Sequence, residues 1–158
     1  MVSRIASRAL AVVLLLSSAA VAQTGGFAGM SGSWSGSGSV TLASGATERI
    51  RCRATYEVTP SGNTFQQSLR CASDSYNFDL RSSVVRSGDT VSGTWSETSR
   101  NVTGGIAGRV SGSQIQAMIQ GPAFSASLTL ATQGDRQTVS IRSQGTEVSA
   151  VSIVLRRA

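Results

Sequence analysis

The sequence predicts an all-β chain folded as a single antiparallel up-and-down barrel of about 8–10 strands. Three observations lead there. From Trp34 onward apolar residues recur at every second position, the period of a strand with one buried face. Turns containing Gly, Asn, Asp or Pro interrupt that alternation about ten times in roughly 125 residues, so the connections are short. No window sustains the i, i+3, i+4, i+7 spacing of an amphipathic helix.

Residues 1–22 read as an export signal. Arg4 and Arg8 form a positive start, Ala9 to Leu16 is an uninterrupted apolar run, and Ala20-Val21-Ala22 is an A-x-A cleavage site. The mature chain is expected to begin at Gln23, in the periplasm or outside the cell. The apolar run is too short to span a bilayer, which leaves a buried N-terminal helix as the alternative. No cysteine stands at the cleavage point to carry a lipid anchor. Residues 23–31 show no period and are expected to be a flexible Gly/Ser-rich lead-in, with the barrel domain over 32–158.

The inward faces follow from alternation. The first strand turns Trp34, Gly36, Gly38, Val40 and Leu42 inward. The second carries Ile50, Cys52, Ala54, Tyr56 and Val58, and the third Phe65, Gln67, Leu69 and Cys71. The fourth runs from Tyr76 through Phe78, Leu80 and Ser82 to Val84, and the fifth holds Val91, Gly93 and Trp95. The sixth and seventh strands follow with Val102 to Val110 and Ile115 to Ile119. Phe124 to Leu130, Val139 with Ile141, and Val151 to Leu155 complete the set. Turns such as Ser87-Gly88-Asp89, Gly112-Ser113 and Gly121-Pro122 make successive strands antiparallel neighbours.

A closed barrel buries every apolar face and removes both sheet edges; a two-sheet sandwich is the alternative. A lipid-facing barrel is disfavoured, because two Trp, two Tyr and four Phe cannot build two aromatic girdles. Gly36, Gly38, Gly93, Gly104 and Gly108 sit on inward positions, where glycine marks strand bending or close backbone approach. Chance placement of the chain's 17 glycines is the competing explanation.

Turn symmetry pairs the two cysteines. The loop Pro60-Ser61-Gly62-Asn63 has its midpoint between Ser61 and Gly62, so paired residues have numbers that sum to 123. Val58 then faces Phe65, Tyr56 faces Gln67, Ala54 faces Leu69 and Cys52 faces Cys71, all on the inward side. Pro60 has no N–H, which favours a four-residue loop and makes Cys52/Cys71 a non-hydrogen-bonded pair about 4.5 Å apart at Cα. An oxidising compartment would join them in a disulfide; two buried thiols side by side are the alternative.

Composition excludes several chemistries. The 158 residues include no histidine, and all 14 basic residues are arginine. Ser-His-Asp triads, Cys-His pairs, histidine-ligated metals and Schiff-base lysines are therefore absent. No metal site and no cofactor is expected. Charge drops from +6 to +4 once Arg4 and Arg8 are removed (12 arginines against 8 acids), which is weak support for nucleic acid. No serine sits in a G-x-S-x-G elbow. Asn101-Val102-Thr103 matches a glycosylation sequon, a coincidence in a bacterial-looking chain.

Two groupings remain. Arg49, Arg51 and Arg53 point outward on the second strand, with Arg70 on its hairpin partner, and form a candidate anion-binding stripe. The competing view is a solvated face balanced locally by Glu48, Glu57 and Asp79. Glu97 is the one carboxylate that alternation places in a barrel mouth, where a raised pKa would make it a general acid. The sequence supplies it no partner, and catalysis is unsupported.

Gly32-Ser33-Trp34 resembles the G-x-W motif of the calycin superfamily, which includes lipocalins. The resemblance implies that Trp34 closes one barrel end and packs against an arginine of the last strand, for which Arg157 matches better than Arg156. The chain departs from the family in having no C-terminal helix and no long loop after the first strand. Gly93-Thr94-Trp95 repeats the motif 61 residues later, either by duplication of a half-barrel or as strand-start chemistry used twice. The whole mature chain also resembles a group of short exported bacterial proteins with no assigned function.

Function divides accordingly. One expectation is a non-enzymatic barrel holding a small apolar or amphipathic ligand between Tyr56, Phe78, Trp95 and Phe124. The other is an envelope or extracellular interaction module that meets anionic surfaces through its arginines. An enzyme built on carboxylates and serines is the third and weakest. Interior volume separates the first two, and the sequence leaves ligand, partner and oligomeric state open.

Overall fold

The computed structural model describes residues 26–158. The export signal read at 1–22, and the lead-in residues 23–25, lie outside the described residues. Ten antiparallel strands follow one another around a closed barrel: β1 Gly32–Leu42, β2 Thr47–Val58, β3 Thr64–Ala72, β4 Asn77–Ser87, β5 Thr90–Glu97, β6 Val102–Ser111, β7 Gln114–Gln120, β8 Ser125–Gln133, β9 Arg136–Gln144 and β10 Val148–Arg157. Each pairs with its sequence neighbours, and β1 pairs with β10 from Trp34↔Arg157 to Leu42↔Val148. That seam sets the sandwich alternative aside.

Alternation produces the inside and the outside. On β2, Ile50, Cys52, Ala54 and Tyr56 are buried while Arg49, Arg51, Arg53, Thr55 and Glu57 between them are exposed. The outward positions are mainly polar, the reverse of a lipid-facing barrel. Among the described residues no helix is long and apolar enough to cross a membrane.

The β2–β3 hairpin has the expected register. Thr59 N–H donates to the Thr64 carbonyl at 2.9 Å, enclosing the four-residue loop 60–63. Gly62 there has φ 73°, which a side chain would resist. Cys52 faces Cys71 and the two form a disulfide, with Cα atoms 4.1 Å apart. The inward glycines mark close approach. A Cβ on Gly36 or Gly38 would overlap the carbonyl of Val154 or Ser152 on β10. Glycine is thus what lets the closing strands come together.

One barrel end is plugged. Phe27 is fully buried, its N–H donates to the Gly62 carbonyl at 3.1 Å, and its ring meets Phe65 edge-on at 4.8 Å. A single 3-10 turn, Ala28–Met30, carries Met30 into the same core. The lead-in expected to be flexible is therefore packed from Gly26 on. Its two large apolar side chains show no strand period, yet they fill an end that ten strands leave open.

Trp34 belongs to this plug. Its indole N–H donates to the Met30 carbonyl at 2.8 Å. Arg157 lies over the ring, 4.3 Å from its centroid, and donates to the carbonyls of Gly29 (2.7 Å) and Ser31. Trp34 is buried beneath Arg157, as the resemblance implies.

Candidate functional site

Above the plug, a polar layer forms the floor of a cavity. The Tyr56 hydroxyl donates to Gln137 Oε1 at 2.8 Å and accepts from Gln67 Nε2 at 2.9 Å. Gln137 donates onward to Thr132 Oγ1 at 3.1 Å, and Ser82 donates to Gln67 Oε1 at 2.8 Å. Five strands thus contribute one hydrogen-bonded chain in the interior. Burial pushes the Tyr56 phenol well above its usual pKa, against a smaller lowering by Gln67 and Gln137, so it stays a neutral donor.

Between this floor and the open end lies a cavity of about 420 Å³. Its wall is mostly aliphatic, including Leu69, Leu80, Ile106, Ile119, Leu128 and Ile141, with Gln67 and Ser82 among the few polar groups. Drug-sized ligands occupy pockets of ~300 Å³ or more, so the barrel is not filled by its own side chains.

Tyr56, Phe78, Trp95 and Phe124 all line that cavity, at different depths. Tyr56 lies in the floor. Trp95, near the end of β5, donates its N–H to the Gln120 carbonyl at 3.1 Å. It lies against Gly104, where a Cβ would come within 2.6 Å of its Nε1. Phe124 meets Trp95 at 5.6 Å between centroids but lies in the turn before β8, not on the strand assigned to it. Phe78 stacks on Tyr76 near the mouth at 6.4 Å. Tyr76 likewise precedes its strand, because Ser73 closes a turn around it by accepting its N–H at 3.1 Å.

The mouth contains residues that alternation does not reveal. Arg100, from the β5–β6 turn, lies 5.5 Å over the Phe78 ring and donates to the Asn77 carbonyl at 3.0 Å. Glu147, from the β9–β10 turn, accepts from the Tyr76 hydroxyl at 3.2 Å. Both line the cavity from loops, where no periodicity applies.

Glu97 is buried at this rim and heavily partnered. It accepts from the Ser99 hydroxyl (2.6 Å), the Arg100 N–H (2.8 Å) and the Asp79 N–H (2.9 Å), with the Arg100 guanidinium at 3.4 Å. Burial alone would raise its pKa. The Ser99, Asp79 and Arg100 contacts overcome that and bring it down to about 2. The raised pKa a general acid needs is the opposite of what this environment produces.

The exterior arginines are placed as expected and neutralised less than expected. Arg49, Arg51 and Arg53 are exposed on β2, and Arg70 is directly opposite Arg53. Arg70 pairs with Asp79 at 3.1 Å, straight across from it on β4. Glu48 is turned away, accepting from Ser73 Oγ at 2.7 Å and the Ser75 N–H at 3.2 Å. Among the described residues, Arg49, Arg51 and Arg53 form no ion pair within 4.0 Å.

Solved structures share this architecture. Rv2717c from M. tuberculosis superposes with a TM-score of 0.62 at 14% identity, over 82% of this chain and 93% of its own. The S-type phycobiliprotein lyase CPES from Guillardia theta gives a TM-score of 0.57 at 11% identity, over 84% and 90%. Both likenesses support the closed barrel fold. At these identities the likeness carries the fold alone. No protein-family model matches the chain, and no curated protein matches it in sequence.

Proposed function

We propose that this protein is a non-enzymatic binder of a small apolar or amphipathic ligand, which enters the mouth and rests on the Tyr56–Gln67 floor. The cavity carries the reading: about 420 Å³, mostly aliphatic, closed below by Phe27, Met30 and Trp34 and open above. Such a concave apolar space with a few placed polar groups is what ligand pockets share. A barrel neighbour named as a phycobiliprotein lyase agrees with a ligand-handling role for the fold. Against catalysis stand the absence of histidine and lysine and a Glu97 that stays ionised at neutral pH.

Export is part of the proposal. The segment 1–22 has the order of a cleaved signal, and the Cys52–Cys71 disulfide is compatible with an oxidising compartment. Native mass spectrometry of protein purified from its own host tests both halves. A chain beginning at Gln23 with a small apolar mass attached is the expected species. A chain that retains Met1 removes export. A bare chain that also ignores apolar fluorescent probes removes the ligand.

A further inference from the structure

We propose that the outer face of β9, β10, β1, β2 and β3 binds a linear acidic polysaccharide. The barrel register aligns residues distant in sequence into one cross-strand row: Arg136, Arg156, Ser35, Arg53 and Arg70. Arg136 is directly opposite Arg156, and Arg53 directly opposite Arg70. Like charges so placed destabilise a sheet. Asp135 pairs with Arg156 at 3.4 Å and Asp79 with Arg70 at 3.1 Å. Arg136 and Arg53 keep no ion pair among the described residues, and Arg51 and Arg49 continue the charge along β2.

The centre of the row is uncharged. β1 has no charged residue from Gly32 to Leu42, and its outward Ser37 and Ser39 are half-buried beside Arg51 and Arg49. A hydroxyl-lined strip between two arginine pairs suits a chain bearing both anions and hydroxyls. Guanidinium groups bind carboxylates through paired hydrogen bonds, and the serines can meet sugar hydroxyls. Glu57, the acid on the outward face of β2, lies four residues from Arg53, about 13 Å along the strand.

Shape and composition select among polyanions. With strands about 4.8 Å apart the row spans about 19 Å, around half of a ten-stranded barrel. A flat membrane meets only the crest of such a surface, whereas a flexible chain can follow it. Single-stranded nucleic acid is held by stacking on exposed aromatic rings. Every aromatic residue here is in the core or lines the cavity, so this face offers none.

Polygalacturonate oligomers are the probe, titrated at low salt by calorimetry. Wild-type protein should bind, and Arg53→Gln with Arg136→Gln should weaken binding about tenfold or more, since these are the two unneutralised members. The salt dependence should flatten as those charges are lost. Arg109→Gln, on β6 across the barrel from β1, should leave affinity unchanged. The first variant should fold and melt no lower than wild type, because it relieves like-charge pairs. No binding by wild type, equal weakening by the two variants, or tighter binding of oligo-dT or anionic phospholipid vesicles would each overturn the proposal.

Discussion

Trp34 and Arg157 are register partners across the β1–β10 seam, and the guanidinium of one covers the indole of the other at 4.3 Å. The barrel is closed there by backbone pairing and by a stacked cation that also ties the Gly29 and Ser31 carbonyls. Arg157→Ala removes the stacking and those hydrogen bonds together, for an expected loss of about 1–3 kcal/mol in urea denaturation. Arg157→Lys keeps the charge but not the planar fork, and should recover only part. Wild-type stability in the alanine variant would show that seam pairing closes the end unaided.

The Cys52–Cys71 disulfide ties β2 to β3 across a separation of 19 residues. On the chain-entropy model a loop of that size contributes about 3 kcal/mol. Replacing both cysteines by alanine should lower unfolding stability by roughly that amount while the circular dichroism stays that of a β-protein. Denatured, unreduced protein should show no titratable thiol; two per chain would refute the bond.

Glu97 should make stability acid-sensitive. Its folded pKa of about 2 lies below the ordinary 4.5, so its contribution is complete above pH 4.5. That contribution is lost as pH falls from 4.5 toward 2. Glu97→Gln should therefore cost about 1–3 kcal/mol at pH 7, with the gap to wild type narrowing through that window. A gap that widens on acidification would mean a raised pKa and revive the general-acid role.

Phe27 tests the plug. Its ring is fully buried against Phe65, and Phe27→Ala should cost about 3–5 kcal/mol, as large-to-small changes in cores do. A variant as stable as wild type would return residues 26–31 to a loose lead-in.

Where two-residue periodicity or turn symmetry applies, the sequence was readable. Alternation placed Ile50, Tyr56 and Trp95 inside, and the Pro60–Asn63 turn set Cys52 against Cys71. Phe27 and Met30 escaped because one turn of 3-10 structure has no strand period. Arg100 and Glu147 escaped because loops bring them to the mouth. Gln137 has inward parity, yet its partner Tyr56 is 81 residues away and only barrel closure unites them. The Arg136–Arg156–Ser35–Arg53 row depends on the same closure.

The hollow interior is the central claim, and filling it is the direct measurement. Leu128 and Ile119 line the cavity on β8 and β7, away from the floor, the disulfide and the plug. Binding of an apolar fluorescent probe should be compared between wild type and the folded Leu128→Phe/Ile119→Phe variant. The account predicts saturable binding by wild type, displaced by competing apolar molecules, and loss of that binding when the cavity is filled. Equal probe binding by both proteins would place the apolar site elsewhere and contradict it.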